Sequence, residues 1–305
     1  MDIDKKEWLR SASSGLEDIM SVRWSGESPR AVIQLAHGMA EHTARYDDFA
    51  SFLVSKGFAV YMNEYAGHGR HAKILGYFAE NNGMDYVIAD IKSLEETARQ
   101  ENPGLPVFIM GHSMGSFIVR KYITIYGAGL AGCILSGTAG KNKAVGGGLL
   151  VASLQKKIKG PTSTGKMLTA MSFGSYTKKI ENPVNAHAWL SRDDEICRAY
   201  KDDKYCGFKF TASGFYDLLT LLKEINAKGW EEKVPKTLPV YLFAGAEDPV
   251  GDYGNGVIEV YERLKKTGLE DLNCKLYPGG RHEMLNELNK QEVYGEVIEW
   301  LDARV

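Results

Sequence analysis

Short apolar runs alternate with segments of helical spacing from residue 1 to about residue 137. Runs of roughly four to eight apolar residues predict buried strands. They occur at 31–36, 58–62, 106–110 and 131–136, with a weaker pattern at 16–24. Between the first two runs, Tyr46, Phe49 and Phe52 share one helix face. Alternating strands and helices predict an α/β fold with a mostly parallel central sheet and helices on both faces.

This alternation stops after residue 137. From 138 to 210 the pattern favours helices and loops without intervening strands. It resumes with a strand at 238–245, a helix at 257–266, a strand at 273–277 and a last helix at 287–303. We therefore predict a core made of residues 1–137 and 211–305, with residues 138–210 inserted as a helical lid.

The composition is that of a globular protein, and its charge gives no reason to expect nucleic acid as a partner. The 305 residues are 44% apolar and 25% charged, with a formal net charge of −2. The N-terminal segment lacks the apolar stretch of a signal peptide, and no run approaches the roughly 18 apolar residues of a membrane span. We therefore expect a cytoplasmic protein, peripheral at most on a membrane.

Neither a metal nor a cofactor is predicted from short motifs. The cysteines lie far apart without a C-x-x-C pair, which argues against a zinc site and a disulfide framework. The glycine run 146–148 lacks the Lys-Ser/Thr of a phosphate-binding loop. The four cysteines are Cys133, Cys197, Cys206 and Cys274.

Residues 102–180, which include the first part of the predicted lid, contain no Asp or Glu but ten Lys or Arg. Lys156, Lys157 and Lys159 follow the apolar run 149–152. Such a helix can rest on an anionic lipid surface, with its lysine stems buried and its ammonium groups at the phosphates. We therefore consider transient membrane contact through the lid; the alternative is an ordinary solvated face.

The sequence Gly111-His112-Ser113-Met114-Gly115 lies between a predicted strand and a predicted helix. G-x-S-x-G in this context is a nucleophile elbow, in which a sharp turn exposes and aims the serine. Glycines are expected on both sides because the chain passes close to itself there. Ser113 is therefore the candidate nucleophile.

A serine nucleophile needs an acid and a base, in the chain order Ser, Asp, His for this kind of fold. The acid should follow a late strand, where Glu247 and Asp248 compete. We choose Asp248 because Pro249 fixes the turn that holds it, with Glu247 in reserve. His282 follows the last predicted strand and is the candidate base.

An oxyanion hole needs two backbone N–H donors. One is expected from Met114, after the nucleophile, and the other from Met39, in the loop after the first apolar run. Other histidines are interpreted as structural, with hydrogen bonds to loops around the site. They are His37, His42, His68 and His71, while His112 fills the variable position of the elbow.

Together, His37-Gly38-Met39-Ala40-Glu41-His42, Gly67-His68-Gly69, the elbow, Asp248 and His282 resemble the monoacylglycerol lipase and lysophospholipase branch of the α/β-hydrolase superfamily. The resemblance spans nearly the whole chain outside the lid. It implies the α/β-hydrolase fold, a triad at Ser113, Asp248 and His282, and oxyanion donors at Met39 and Met114. It also implies a lid after the sixth strand and esters of single long acyl chains as substrates.

The chain departs from this family in the turn that is usually D-x-R-G-H-G-x-S. Glu64, Ala66 and His71 replace the usual Asp, Arg and Ser. This puts the hydrogen bonding behind the site in question, but not the triad. Apolar residues of the lid either line an acyl pocket or only pack lid helices together. The candidates are Leu149, Leu150, Leu154, Met171 and Phe173.

Two kinds of function follow from these residues. The first is a serine carboxylic ester hydrolase that acts on a small lipid or ester substrate, through an acyl-enzyme on Ser113. Monoacylglycerol and lysophospholipid are the expected substrates, with a short-chain ester or other serine hydrolase or acyltransferase chemistry as alternatives. The second is a small-molecule receptor of the same fold, against which a complete triad argues.

Overall fold

Eight strands form one sheet in the computed structural model, which describes residues 3–305. The strand order is β1-β2-β4-β3-β5-β6-β7-β8. Neighbouring strands from β4 to β8 are parallel, whereas β2 is antiparallel to both β1 and β4. The strands are β1 Asp4–Ser11, β2 Asp18–Ser25, β3 Ala31–Ala36, β4 Phe58–Asn63, β5 Val107–His112, β6 Gly132–Ser136, β7 Val240–Gly245 and β8 Leu272–Tyr277.

Helices cover both faces of this sheet, which confirms the predicted fold class. Strands β3 to β7 are buried along their whole length, as their continuous apolar runs require. One apolar cluster joins one face to α2, α3, α7 and α8, and a second joins the other face to α1 and α9. The helices are α1 Asp47–Ser55, α2 Gly83–Glu101, α3 Met114–Tyr126, α4 Val145–Lys159, α5 Lys166–Phe173, α6 Asp194–Asp202, α7 Ala212–Glu224, α8 Asn255–Lys266 and α9 Lys290–Asp302.

None of the helices within residues 3–305 combines the length and the apolar character needed to cross a lipid bilayer.

The edge strand β1 was not expected from the sequence. It pairs with β2 along its whole length, from Asp4 opposite Ser25 to Ser11 opposite Asp18. Its side chains are mostly exposed, so its sequence shows no alternation of apolar and polar residues. The Lys5-Lys6-Glu7 run is also typical of an edge that resists pairing with another chain.

Residues 138–210, here called the inserted segment, lie between β6 and β7 and supply no strand to the described sheet. Helices α4, α5 and α6 form most of its regular structure. Helix α4 packs along α7, and an isolated bridge pairs Thr164 with Thr211. Its last part contacts the loop that follows β8, which carries His282.

Candidate active site

Ser113 lies at a sharp turn between β5 and α3. Its backbone has φ 54° and ψ −122°, a region that non-glycine residues rarely adopt. Such strain persists only where the surrounding structure enforces it, and it concentrates at functional sites. Ser113 is partly exposed while His112 and Met114 on either side are buried, so the turn presents the serine side chain outward.

Two glycines make this turn possible. A Cβ on Gly111 would lie 2.3 Å from the carbonyl oxygen of Gly115. A Cβ on Gly115 would lie 2.0 Å from the carbonyl oxygen of Ala36, at the end of β3. Both contacts are with backbone atoms, which cannot move aside, so the elbow requires glycine at both positions.

Asp248 and His282 form a buried pair in the loops after β7 and β8. Nδ1 of His282 lies 2.8 Å from Oδ2 of Asp248, and both side chains are almost fully buried. The other carboxylate oxygen of Asp248 accepts a hydrogen bond from the Val250 N–H at 2.8 Å. Glu247, the competing acid, is exposed. The structure therefore brings Asp248 rather than Glu247 to His282.

The charge of Asp248 stabilises the protonated form of His282 relative to the neutral form. Burial alone would lower the pKa of His282, but the charge and the hydrogen bond of Asp248 outweigh it and raise the pKa above 6.5. The His112 ring lies 4.8 Å from that of His282. Burial, and then the charge on His282, lower the pKa of His112 to about 4, so His112 stays neutral. His282 therefore accepts a proton more readily than the neighbouring His112.

Residues 37–42, which follow β3, are the candidate oxyanion loop, and this loop passes against Ser113. A Cβ on Gly38 would lie only 3.2 Å from the Cβ of Ser113. Within residues 3–305 the backbone N–H groups of Met39 and Met114 donate no hydrogen bond. Ala40 has φ 54°, which bends the loop directly after Met39. Two N–H donors without protein partners therefore flank the serine.

The chain matches the family model described as "Serine aminopeptidase, S33" over residues 27–289. The chain belongs to this family. The S33-family hydrolase is 28% identical to "Monoacylglycerol lipase" of Mycolicibacterium smegmatis over 94% of this chain and 93% of that protein. It is 24% identical to human "Monoglyceride lipase", covering 91% of this chain and 84% of that one.

The chain is also similar to a solved esterase structure. The carboxyl esterase of Bacillus coagulans, determined in complex with glycerol, superposes with a TM-score of 0.93 at 30% identity. The match covers 99% of this chain and 99% of that chain. The whole S33-family hydrolase, including its inserted segment, therefore has a counterpart in a known esterase.

Sequence reasoning missed a buried ionic network under the oxyanion loop. Oε1 of Glu41 accepts hydrogen bonds from the Gly38 N–H and from the Tyr46 hydroxyl. Arg45 donates to Oε2 of Glu41 at 2.6 Å and forms a paired contact with both carboxylate oxygens of Glu283. Burial would raise the pKa of Glu41, but the charge of Arg45, the two histidines nearby and the Gly38 hydrogen bond together outweigh it and lower the pKa to about 2. The network therefore fixes Gly38 through a permanent negative charge.

Residues 189–193 resemble a lid stretch of the bacterial family members, but the contact of Trp189 with His282 is a second feature that sequence reasoning missed. Its ring centroid lies 5.1 Å from that of His282, and its carbonyl accepts from the His282 backbone N–H at 3.4 Å. Arg281 donates to the carbonyls of Ala188 and Ser191 at 2.7 and 2.9 Å. No short motif marks these contacts, because they join residues about 90 positions apart.

The histidines of the early loops bond to the loops around Ser113. Nδ1 of His37 lies 2.8 Å from the Gly38 carbonyl oxygen, and Nε2 of His68 accepts from the Ala40 N–H at 3.3 Å. His71 lies farther out and accepts from Arg70 at 3.0 Å. Burial lowers the pKa of His37 to about 4, so its ring is neutral.

Of the three departures from the family turn, Glu64 and Ala66 are buried, whereas His71 is partly exposed. Glu64 is buried, and its carboxylate lies against Gly69, where a Cβ would collide with it. Burial raises the pKa of Glu64 to about 7. Ala66 packs in a small apolar cluster with Ala12 and Ile19. The hydrogen bonding here thus rests on Glu64, which accepts from the Thr43 hydroxyl at 3.4 Å.

The five apolar candidates of the inserted segment do not line an enclosed pocket together. Leu150, Leu154 and Met171 are 63%, 49% and 57% exposed. Leu149 is half-buried, and Phe173 stacks on Trp189 at 6.0 Å. Of the five candidates, Phe173 is therefore the one that contacts Trp189, which in turn packs against His282.

Proposed function

We propose that the protein hydrolyses the ester bond of monoacylglycerols through an acyl-enzyme on Ser113. The chain is a carboxylic ester hydrolase, and the curated relatives with which it aligns over nine-tenths of its length are named for monoacylglycerol. The observation that carries the proposal is the buried pair of His282 and Asp248, 2.8 Å apart, with the His282 ring packed against His112, the residue before the strained serine. A carboxylate behind a histidine is the arrangement that activates a serine.

In the first half of the reaction, the Ser113 oxygen attacks the ester carbonyl while His282 takes the hydroxyl proton. Asp248 stabilises the imidazolium that forms and keeps the ring in one orientation. The N–H groups of Met39 and Met114 bind the oxygen that becomes negative in the tetrahedral intermediate. When this intermediate collapses, His282 gives the proton to the leaving glycerol oxygen, and the acyl group remains on Ser113.

In the second half, water takes the place of glycerol. His282 removes a proton from the water, whose oxygen attacks the acyl carbon. Collapse of the second intermediate releases the fatty acid and returns the proton to Ser113. Helix α3 begins at Met114, directly after Ser113, so the positive end of its dipole lies at this centre and favours the negative charge in both steps.

A fluorophosphonate probe tests the nucleophile, because it labels activated serines. The wild type is expected to label at Ser113, and Ser113→Ala should lose labelling and ester turnover together. Labelling of the alanine variant at the wild-type rate would disprove the assignment. A folded wild type that neither labels nor hydrolyses any ester would instead indicate a receptor.

The substrate is tested by comparing kcat/KM across a panel. Monoacylglycerols of graded chain length, a lysophospholipid and a short p-nitrophenyl ester should all be measured with one enzyme preparation. Monoacylglycerol is expected to be the best natural substrate. A higher kcat/KM for the lysophospholipid would move the substrate assignment but leave the serine mechanism intact.

We also propose that the inserted segment is a lid that rests on a lipid surface. On α4, Leu150, Leu154 and Ile158 recur every fourth residue, and Ile158 is 75% exposed. Met167 and Met171 on α5 are also more than half exposed. An exposed apolar stripe of this size suits contact with a membrane or micelle that carries the substrate.

The lysines beside this stripe differ in their freedom to reach such a surface. Lys157 and Lys159 are exposed next to Ile158. Lys156 instead donates hydrogen bonds to the Glu80 carbonyl and to the Asn81 side chain, so it is tied to the core. The proposal therefore rests on Lys157 and Lys159, which each contribute about 1 kcal/mol near an anionic bilayer.

Vesicle binding tests this surface. The double variant Lys157→Gln, Lys159→Gln should bind anionic vesicles less well than the wild type, and the difference should shrink as salt is added. Ile158→Ser should weaken binding to neutral and anionic vesicles alike. Turnover of a short soluble ester should stay unchanged in all these variants. Wild-type protein that fails to bind vesicles at low salt would contradict the proposal.

A further inference from the structure

Three metal-binding side chains meet where the oxyanion loop touches the inserted segment. They are His42, at the end of that loop, and Asp203 and Cys206, just after α6. One ligand atom from each lies within 4.8 Å of the other two. Nε2 of His42 and Oδ2 of Asp203 are 2.8 Å apart, although the residues are 161 positions apart in the chain.

We propose that this cluster binds one divalent cation of the zinc class. Thiolate, imidazole and carboxylate together are typical zinc ligands, whereas Mg²⁺ and Ca²⁺ prefer oxygen alone. Zinc holds sulfur at about 2.3 Å and nitrogen or oxygen at about 2.0–2.2 Å, so ligands in a tetrahedral site lie roughly 3.3–3.8 Å apart. The observed separations, 2.8 Å for His42 and Asp203 and at most 4.8 Å for the other pairs, differ from this range by about 1 Å or less.

The burial of the three side chains leaves a route for the cation. Cys206 is buried, but the side chains of His42 and Asp203 are 15% and 33% exposed. The cation therefore enters from the solvent side and keeps water as its fourth ligand, with Cys206 at the floor of the site. Three protein ligands and one water form a complete tetrahedral set.

The charges around the site are compatible with a bound cation. Burial raises the pKa of the Cys206 thiol, and the charge of Arg45 nearby acts against that rise. Arg45 is itself neutralised by Glu41 and Glu283. The cation has to displace the thiol proton, so binding releases one proton and weakens as the pH falls.

A cation here would join two parts of the active site. The carbonyl of Ala40 already accepts hydrogen bonds from the Tyr200 hydroxyl and from the Gly207 N–H, both at 2.9 Å. The same stretch of loop carries Met39 and His42. Metal binding would therefore clamp the oxyanion loop to the inserted segment and raise the melting temperature of the folded chain.

Cobalt titration tests the site, because thiolate bound to Co²⁺ gives an ultraviolet charge-transfer band. Wild-type protein is expected to show this band, to saturate at one Co²⁺ per chain and to lose the band when Zn²⁺ is added. Cys206→Ser should lose the band. Cys274→Ser should keep it, since Cys274 is a half-buried thiol on β8 outside the cluster.

Asp203→Asn provides a second test at a partly exposed position, with a substitution that keeps the size of the side chain. It should keep the band but weaken Co²⁺ binding by about tenfold or more, because loss of even an outer-sphere partner costs that much. A band that persists in Cys206→Ser, or a wild type without a band at millimolar Co²⁺, would overturn the proposal. His42 and Asp203 would then form only a hydrogen bond.

Discussion

The ring of Trp189 packs against the ring of His282, and the Trp189 carbonyl binds the backbone N–H of the same histidine. A residue of the inserted segment thus holds the proposed general base from two sides, through its ring and through its backbone. The position of His282 therefore depends on the inserted segment as well as on Asp248.

Trp189→Ala should lower kcat for a short soluble ester by roughly tenfold to a hundredfold, because a ring misplaced by about 1 Å costs that much. Trp189→Phe keeps an aromatic ring against His282 and should retain most of the activity. Stopped-flow or steady-state assays on a p-nitrophenyl ester measure both. An alanine variant with a lower melting temperature but an unchanged kcat would show that Trp189 only stabilises the fold.

Asp248→Asn should lower kcat by about 10⁴-fold, as in comparable triads. Asp248 raises the pKa of His282 above 6.5, and the base acts only when it is neutral. The acid limb of kcat/KM should therefore lie above pH 6.5 in the wild type and move to lower pH in the asparagine variant, where burial alone remains. The pH profile of a p-nitrophenyl ester measures both effects.

Glu247→Gln is the matched control for that experiment, because Glu247 is the adjacent carboxylate and is exposed. Its activity and its pH profile should equal those of the wild type. If Glu247→Gln lost activity and Asp248→Asn did not, the acid would have been assigned to the wrong residue.

Glu64→Gln should change how stability depends on pH. Burial raises the pKa of Glu64 from 4.5 to about 7, so the folded protein takes up a proton that the unfolded chain lacks between these values. Wild-type stability should therefore fall by on the order of 2 kcal/mol between pH 5 and pH 8 through this group alone. Glutamine cannot ionise and should not show that part of the loss.

Urea unfolding at pH 5 and at pH 8 measures the difference. Relative to the wild type, the free energy of unfolding of the variant should be higher at pH 8 than at pH 5. A constant difference between the two proteins at both values would mean that Glu64 is ionised throughout.

Gly115→Ala should prevent formation of the native elbow, since its Cβ would lie 2.0 Å from a backbone oxygen. The expected result is loss of probe labelling and a severe drop in stability. Gly295→Ala in α9 is the control, because nothing lies within 4 Å of its Cβ. Alanine there should stabilise the helix by about 0.5–1 kcal/mol. Thermal unfolding and probe labelling of both variants measure these effects. A Gly115→Ala variant that is as stable and labels as fast as Gly295→Ala would contradict the prediction.

The sequence was most informative where contacts between neighbouring residues require a particular residue type. Gly111 and Gly115 are required by backbone contacts at the elbow, and Asp248 follows β7, whose apolar run is plain. The alternation of buried strands and helices likewise predicts the parallel sheet. These features can be read from neighbouring residues alone.

The features missed depend on contacts between distant parts of the chain. Strand β1 is exposed on its edge and carries no periodic pattern. Trp189 packs on His282 only because the inserted segment folds back over the loop after β8. The exposure of Leu150 likewise follows from the packing of α4 on α7, which the periodicity of α4 alone does not give.

The contacts between the inserted segment and the loop after β8 also set limits for protein engineering. The hydrogen bonds to that loop come from residues 188–192, whereas helices α4 and α5 lie within 145–173. A chimera that exchanges only 145–173 with a relative would leave these bonds in place. A chimera that exchanges all of 138–210 would also replace residues 188–192, which hold the loop that carries His282. The shorter segment can therefore be exchanged without removing the hydrogen bonds that hold the loop after β8.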